Sequence, residues 1–194
     1  MKLLFVIDMQ NDFIDGILGN PEAQAIVPKV VEKINSMDNG MIILTKDTHY
    51  NDYLKTEEGK HLPIPHCIID TDGWGLNLKV LVAAYRSRKR KNLTGLINKP
   101  TFGYTWSNEY FIEKFYNFNL SDITEIEIVG LDTDFCILAN AMTLKAAFPN
   151  VPITIDASCC AGSTPEWHEK ALDILEHCHF NIINRDKEII NENK

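Results

Sequence analysis

The fold of this chain is indicated most clearly by one stretch, Ile126-Glu127-Ile128-Val129-Gly130-Leu131-Asp132-Thr133-Asp134-Phe135-Cys136. Its first part is a short apolar run that stops at Gly130, which is typical of a buried strand. A segment with the apolar spacing of a helix follows directly, over residues 134–148. A strand that leads into a helix is the repeating unit of parallel α/β sheets.

Five similar apolar runs occur elsewhere in the chain, with helical patterns between them. The runs cover residues 3–7, 41–45, 93–98, 151–155 and 180–183, and the further helical patterns cover residues 21–37, 76–86, 107–117 and 165–177. Strands that alternate with helices pair in parallel, and the helices cover both faces of the sheet. The sequence therefore predicts a three-layer αβα fold with a central, mostly parallel sheet of about six strands.

The composition excludes several classes of protein. The 194 residues are 45% hydrophobic, which is enough for a sizeable core and excludes a mainly disordered chain. The 27 acidic residues outnumber the 19 basic ones, and this charge argues against nucleic acid or an anionic membrane as a partner. No apolar run approaches the roughly 20 residues of a membrane helix. The five cysteines lack paired metal spacing, and we expect a cytoplasmic protein.

We predict that residues 1–194 form a single domain with two distinctive segments. Residues 47–74 contain no clear element and are rich in His, Asp, Glu and Pro. A connection this long in a compact domain is usually functional or disordered, and its composition favours a role in binding metal or substrate. Residues 184–194 are mostly polar and are predicted to form an exposed tail.

Reactive side chains follow four of the strand candidates. Ligands of open parallel sheets bind beyond the carboxyl ends of the strands, and this chain places there Asp8, Asp47 with His49, Lys99 and Cys136. A cysteine in the first turn of a helix, with a lysine nearby, is expected to have a lowered thiol pKa. Asp8 can then serve as general base for the thiol and as acid for a leaving amine. The alternatives are an inert buried cysteine, a capping aspartate and a surface lysine.

A second group of residues suits a metal ion and comprises Asp47, His49, Glu58 and His66. Asp47 and His49 point to the same side if their segment is extended, because side chains alternate along a strand. Two imidazoles with one or two carboxylates suit zinc, iron or manganese. An isolated Asp-x-His pattern is common by chance, and His61, beside a lysine, is interpreted as solvated.

Together these segments resemble the isochorismatase-like cysteine hydrolase superfamily, and within it the nicotinamidase-type amidases. The similarity spans about residues 2–183, and the motifs that carry it occur in the family's order. They are residues 6–13, 45–49, 62–67, 98–103 and 129–136.

The resemblance implies a catalytic triad of Asp8, Lys99 and Cys136. In this scheme Asp8 takes the thiol proton, the thiolate attacks an amide carbonyl, and Lys99 stabilises the negative charge. The resemblance also implies a non-proline cis peptide at Asp132-Thr133. Backbone N–H groups of Asp132 and Cys136 would then face the developing oxyanion.

The resemblance further implies a divalent metal, with zinc preferred and manganese or iron as alternatives, that holds a ring nitrogen of the substrate. Asp47, His49 and His66 match the family's ligand pattern directly. The remaining ligand is His in some relatives and Glu in others, and we prefer Glu58 to Glu57 here.

The implied reaction is the hydrolysis of nicotinamide to nicotinate and ammonia, a step of NAD salvage, through a thioester on Cys136. The aromatic residues that we predict to line the substrate slot are Phe13, Trp74, Phe102, Tyr104 and Phe135. Pro63 and Asp70 depart from the nicotinamidase pattern, so two alternatives stay open. One is a family hydrolase that acts on another small amide or carbamoyl compound, and the other is a non-catalytic ligand-binding homologue. The implied partners are the small amide and further copies of the chain in a dimer or tetramer.

Overall fold

The computed structural model describes residues 1–88, 92–107 and 122–185, and six strands in these ranges form one sheet. The strands are β1 (Lys2–Ile7), β2 (Met41–Asp47), β3 (Leu93–Lys99), β4 (Glu125–Gly130), β5 (Ile153–Cys160) and β6 (Asn181–Ile183). Their order is β3-β2-β1-β4-β5-β6, and every neighbouring pair is parallel. The predicted αβα fold with about six strands is confirmed.

Helices lie on both sides of this sheet. They are α1 (Asn11–Ile14), α2 (Pro21–Ser36), α3 (Glu57–His61), α4 (Leu78–Arg88), α5 (Leu138–Ala147) and α6 (Pro165–His177). Two of them begin at a proline that follows a capping side chain, as helix starts often do. Asn20 accepts a hydrogen bond from the backbone N–H of Ala23, and Thr164 accepts one from that of Trp167. Almost all of the helix predicted over residues 107–117 lies outside the described residues.

Strand β1 separates two apolar cores. Leu3, Phe5 and Ile7 belong to the core shared with α5 and α6, whereas Leu4 and Val6 belong to the core shared with α2 and α4. Successive side chains of a strand point to opposite faces, so a central strand with helices on both sides needs an unbroken apolar run. This five-residue apolar segment therefore requires a helical layer on each face of the sheet.

The strand order also determines where a ligand can bind. From β1 the chain passes to β2 and β3 on one side, and β4, β5 and β6 lie on the other side. The carboxyl ends of β1 and β4 thus flank a topological switch point, the crevice in which open α/β sheets bind ligands.

Three further segments refine the predictions. The helix predicted from residue 134 begins as a π-helical turn, Thr133–Ile137, and becomes α-helical only at α5. The long segment over residues 47–74 contains a 3-10 helix, Tyr53–Lys55, and α3. In the predicted tail, Asn184 and Arg185 are bound to the domain, through Asp156 and through carboxylates of α6 respectively, and residues 186–194 lie outside the described ranges. Among the described residues, no helix has the length and apolarity needed to cross a membrane.

Candidate active site and metal centre

Asp8, Lys99 and Cys136 meet in the crevice at the switch point. Asp8 follows β1, Lys99 is the last residue of β3, and Cys136 lies in the π-helical turn after β4. The Lys99 ammonium is 2.7 Å from Oδ2 of Asp8, and it donates to Sγ of Cys136 at 3.3 Å. Lys99 comes from an edge strand two strands away from β1, and its long side chain spans that distance. The structure therefore brings the three predicted triad residues together, and all three are buried.

The protonation of this group differs from the sequence-based expectation. Burial raises the pKa of the Cys136 thiol well above its usual value, the negative charge of Asp8 adds to this rise, and Lys99 opposes it only in part. The expectation of a lowered thiol pKa is wrong, because the sequence pattern did not show that the sulfur is shielded from water. Burial also raises the pKa of Asp8, against the opposing charge of Lys99, which makes its carboxylate a stronger base than an ordinary aspartate.

Two residues that the sequence analysis missed orient the acidic groups. Thr45 donates its hydroxyl proton to Oδ1 of Asp8 at 2.7 Å. The side chain of Gln10 bonds both backbone groups of Asp47, with Nε2 donating to its O at 2.9 Å and Oε1 accepting from its N at 2.7 Å. The sequence could have indicated Thr45 as a site residue, because it lies two residues before Asp47 and therefore on the same face of β2.

The predicted metal ligands form one compact cluster. Single ligand atoms of Asp47, His49, Glu58 and His66 all lie within 4.8 Å of one another. Nε2 of His49 is 3.0 Å from Oδ2 of Asp47 and 3.3 Å from Oε1 of Glu58. Nε2 of His66 is 3.6 Å and 3.7 Å from the same two oxygens. Ligands about 2.0–2.1 Å from a tetrahedral zinc ion lie about 3.3–3.4 Å apart, so the residues present fit a divalent ion.

The surroundings of the cluster support this fit. Nδ1 of His66 bonds the carbonyl oxygen of Ile64 at 2.8 Å, which leaves Nε2 to face the cluster. Oε1 of Glu58 is buried and has no well-formed hydrogen bond among the described residues. Glu57 lies mostly in solvent and pairs with Lys60, so the choice of Glu58 agrees with the geometry. Although burial raises the pKa of Asp47, the contacts with both imidazoles and the charge of Lys99 together hold it below its usual value.

Cys136 and most of the metal-type cluster line one cavity of about 790 Å³, whereas the buried Asp8 and Lys99 are not among its lining residues. Its lining includes Cys136, three of the four cluster residues and three of the five predicted aromatic residues, Phe13, Phe102 and Phe135. Trp74 and Tyr104 are not part of this lining, contrary to expectation. The Trp74 ring packs under the ammonium of Lys46, and its Nε1 donates to Thr48 at 2.9 Å. The Tyr104 ring packs on Trp106, 4.9 Å away between ring centroids.

The peptide bond between Asp132 and Thr133 is trans, because no cis peptide occurs in the described residues. The cis bond that the resemblance implied is therefore wrong for this structure. Asp132 is extended, at φ -87° and ψ 145°, and the backbone N–H of Thr133 donates to Ala161 at 2.9 Å. The Thr133 hydroxyl also bonds Nδ1 of His168 at 2.8 Å, a contact that the sequence gave no reason to expect. The roles of the Asp132 and Cys136 N–H groups toward an oxyanion remain predictions.

Comparisons with known proteins agree with this architecture. Nicotinamidase from Saccharomyces cerevisiae is 23% identical to the chain over 225 residues, which cover 95% of this chain and all of the yeast protein. The crystal structure of a nicotinamidase/pyrazinamidase from Bacillus subtilis superimposes with a TM-score of 0.71 at 23% identity, covering 93% of this chain and 98% of that one. The pyrazinamidase of Pyrococcus horikoshii in complex with zinc gives 0.69 at 22% identity, covering 94% and 98%.

A family model described as the isochorismatase domain matches residues 2–187, nearly the whole chain. The match includes every strand of the sheet and every residue of the triad and of the four-residue cluster. The chain belongs to the isochorismatase family.

Proposed function

We propose that this protein, a hydrolase that acts on an amide C–N bond, converts nicotinamide or a closely similar aromatic amide to the acid and ammonia. One observation carries the proposal: a buried thiol–ammonium–carboxylate group, through its thiol, and a His₂-carboxylate cluster both contribute to the wall of the same cavity. The names of the similar proteins support the choice of substrate, since nicotinamidases and pyrazinamidases are among them.

In the first half of the reaction, Asp8 takes the proton of the Cys136 thiol as Sγ attacks the amide carbonyl carbon. Because the thiol is neutral at rest, attack and proton transfer are coupled. The ammonium of Lys99 contacts both the sulfur and Oδ2 of Asp8. It therefore stabilises the negative charge on Asp8 before the proton transfer and on the sulfur after it. We propose that the backbone N–H groups of Asp132 and Cys136 stabilise the tetrahedral oxyanion in the trans backbone found here, without the cis peptide that the resemblance implied.

In the second half, collapse of the tetrahedral species breaks the C–N bond and leaves a thioester on Cys136. The departing nitrogen takes the proton from Asp8 and leaves as ammonia. Asp8 then accepts a proton from water, whose oxygen attacks the thioester carbon. The acid is released and the proton returns to Sγ, so the enzyme ends as it began.

Asp47, His49, Glu58 and His66 would hold a divalent ion, with zinc preferred and manganese or iron as alternatives. Such an ion would act as a Lewis acid that binds and orients a ring nitrogen of the substrate. The phenyl rings of Phe13, Phe102 and Phe135 would exclude water and contact the faces of a flat ring, as apolar walls of ligand pockets do.

The test is ammonia release from nicotinamide by protein that has been stripped of metal and then reloaded with zinc, manganese or iron(II). We expect turnover with at least one ion, little without any, and nicotinate as the second product. Absence of ammonia release with every ion would reject nicotinamide as substrate. A panel of small carbamoyl compounds would then test the alternative substrate class within the same family.

We also propose that the protein works in the cytoplasm as a homo-oligomer, in NAD salvage. All five cysteines are free in the structure, which fits a reducing compartment. The proposed partners are the small amide and further copies of the chain, with no nucleic acid or membrane.

A further inference from the structure

The segment that follows β1 carries a polar side chain at every second position, and the site described above uses the first two. Asp8 is the proposed general base, and Gln10 holds the backbone of one metal-type residue. Asp12 is the third, and it has no part in the mechanism above. Its Oδ2 accepts a hydrogen bond from the backbone N–H of Cys67 at 2.7 Å, across 55 residues of sequence. Asp12 therefore contacts the residue directly after the metal-type His66.

The N–H group that Asp12 binds belongs to the peptide that joins His66 to Cys67. The carbonyl oxygen of Cys67 in turn accepts from the backbone N–H of His49 at 3.0 Å. Cys67 is fully buried and has φ +47°, a left-handed conformation that is unfavourable for a residue with a side chain. Such a conformation persists only where the surrounding structure holds it. Hydrogen bonds to Asp12 and from His49 thus fix the backbone beside His66.

The Asp12 carboxylate lies in a slot that a side chain at either of two glycine positions would block. A Cβ atom added to Gly73 would lie 2.2 Å from both carboxylate oxygens, and one added to Gly16 would lie 2.8 Å from Oδ1. The backbone N–H of Asp12 also donates to the carbonyl oxygen of Gly73 at 3.0 Å. The carboxylate is therefore held between two backbone segments in the position from which it reaches Cys67.

The imidazole ring of His66 is constrained by contacts of its own. Its Nδ1 bonds the carbonyl oxygen of Ile64 at 2.8 Å, and the ring of Phe13 packs against it with 5.5 Å between ring centroids. Since these contacts orient the ring, the place of Nε2 in the metal-type cluster depends on the backbone of His66. Asp12 holds that backbone through the adjoining peptide.

The neighbouring Asn11 shows what a purely structural contact to the same part of the chain looks like. Its Nδ2 donates to the carbonyl oxygen of Asp72 at 2.8 Å, and its backbone N–H donates to that of Gly75 at 2.9 Å. Asn11 thus ties α1 to residues 67–75 without contact to the peptide that follows His66. The two adjacent side chains of α1 separate support of this segment from support of the ligand.

We propose that Asp12 is a positioning residue for the metal ion. Through the peptide between His66 and Cys67, its carboxylate holds Nε2 of His66 at the distance from the other ligands that a divalent ion requires. Residues 8, 10 and 12 then supply in turn the base, the support of Asp47 and the support of His66. This inference rests on the proposed function for the use of the ion, but binding of the ion is measured without substrate.

The test is metal binding by the full chain at pH 7. The dissociation constant for zinc is measured by competition with a chelator, and the visible absorption of cobalt(II)-substituted protein reports the arrangement of the ligands. Asp12→Ala should raise the dissociation constant by about tenfold, as loss of support behind a ligand does, and should alter the cobalt absorption bands. Asp12→Asn keeps an oxygen that can accept from Cys67, so it should bind zinc nearly as tightly as the unmodified chain.

Two variants are matched controls. Asp15→Ala removes the same charge from an exposed position at the end of α1, and Asn11→Ala removes the other side-chain contact from α1 to residues 67–75. Both should leave the zinc dissociation constant and the cobalt spectrum unchanged. If Asp12→Ala does not fold, Gly73→Ala replaces it, because the added Cβ would displace the carboxylate from Cys67, and we expect the same tenfold loss.

An unchanged dissociation constant in folded Asp12→Ala or Gly73→Ala overturns the inference, and so does failure of the unmodified chain to bind zinc. An equal loss in Asp15→Ala, Asn11→Ala or Asp12→Asn would also overturn it, since the effect would then belong to charge or to the segment as a whole. The proposed function is judged separately, by ammonia release from nicotinamide by the zinc-loaded unmodified chain. Absence of release together with weakened zinc binding in Asp12→Ala rejects the substrate and retains the role of Asp12.

Discussion

Two buried charged clusters in this molecule differ in how completely they are paired. One lies at the switch point and contains Asp8, Lys99 and Cys136, together with Asp132 and the four metal-type residues. The other joins Lys33 of α2 to Glu127 of β4 and Asp156 of β5. The Lys33 ammonium is 2.6 Å from Oε1 of Glu127 and 2.7 Å from Oδ2 of Asp156. We call the first the switch-point cluster and the second the Lys33 cluster.

In the Lys33 cluster every charge has a partner. Oδ1 of Asp156 accepts hydrogen bonds from Ser158 and Asn184, and Lys2 pairs with Oε2 of Glu127. Burial alone would raise the pKa of Asp156 and lower that of Lys33, but the hydrogen bonds and opposite charges around each group together outweigh burial, so the pKa of Asp156 is lowered and that of Lys33 is raised. All these shifts favour the charged forms, as in a structural ion-pair network.

In the switch-point cluster, the pKa of Asp47 is lowered beside the imidazoles, but three other acidic groups have pKa values that shift the other way. The pKa values of Asp8, Asp132 and Cys136 are all raised, first of all by burial. Oε1 of Glu58 and Oδ1 of Asp132 lack hydrogen bonds among the described residues. A cluster that is fully paired within the chain stabilises the fold, whereas a cluster with unpaired groups is arranged for partners from outside the chain.

The sharpest test of this contrast is one substitution made in both clusters. Asp8→Asn removes the general base and should lower kcat/KM for nicotinamide by about 10⁴-fold while the fold is retained. Asp156→Asn should lower the free energy of unfolding and leave kcat/KM nearly unchanged. Steady-state kinetics and chemical denaturation of both variants measure the two effects. Full activity in Asp8→Asn, or an inactive but folded Asp156→Asn, would abolish the distinction.

Loss of the central cation should show the structural role of the Lys33 cluster. Lys33→Met leaves Asp156 buried without its cation and Glu127 with Lys2 alone, and we expect a loss of about 3 kcal/mol in the free energy of unfolding. The kcat per folded molecule should not change, because Lys33 does not line the catalytic cavity. Urea denaturation gives the first quantity and kinetics well below the transition give the second. A stability equal to that of the unmodified chain would contradict the structural role.

The metal-type residues should affect binding more than stability. His49→Ala should abolish stoichiometric zinc binding and raise KM for nicotinamide by about tenfold or more, in line with the loss of a ligand. The control is His61→Ala, which removes an exposed imidazole at the cavity mouth and should retain the metal. Elemental analysis after dialysis, combined with KM values, measures both effects. Equal metal content in the two variants would exclude His49 as a ligand.

The smallest expected effect is a pH dependence of stability at Asp132. Its pKa is raised from the ordinary 3.8 to about 8 in the folded protein, so the native state binds the proton more tightly than the unfolded chain does. Its contribution to stability is therefore greatest at low pH and declines as pH rises toward about 8. The unmodified chain should lose this contribution between pH 7 and pH 8, whereas Asp132→Asn has no such group to ionise. The free energy of unfolding of Asp132→Asn should therefore rise relative to that of the unmodified chain, by less than about 1.4 kcal/mol over this interval. Denaturation curves at both pH values measure it, and a constant difference would reject the raised pKa.

The sequence was sufficient to predict which residues assemble at the site. Asp8 and Cys136 follow strands of a parallel sheet and Lys99 ends one, and the carboxyl ends of parallel strands share one edge. Glu58 could be preferred to Glu57 by resemblance, and the start of α3 at Glu57 turns the two side chains in different directions. The placement of these residues depends on the order of strands along the chain and on the side-chain periods of strands and helices. Both can be determined from the sequence.

The sequence was not sufficient for properties that depend on burial and on distant partners. The thiol pKa of Cys136 depends on how completely the sulfur is shielded, which no local pattern reveals. Trp74 was expected in the substrate slot, but the ammonium of Lys46 and the hydroxyl of Thr48 hold it elsewhere. The Gln10 side chain reaches Asp47 across 37 residues of sequence, and only the fold brings them together.

The most direct test of the account compares two buried cysteines. Cys136 lies in the switch-point cluster, and Cys160, equally free and buried, ends β5 outside the catalytic cavity. Ammonia release from nicotinamide should be measured for metal-loaded Cys136→Ala and Cys160→Ala beside the unmodified protein. The account predicts no turnover above background in Cys136→Ala and nearly full turnover in Cys160→Ala. Ammonia release by folded Cys136→Ala at a rate comparable to that of the unmodified protein would contradict the central claim that Cys136 is the nucleophile.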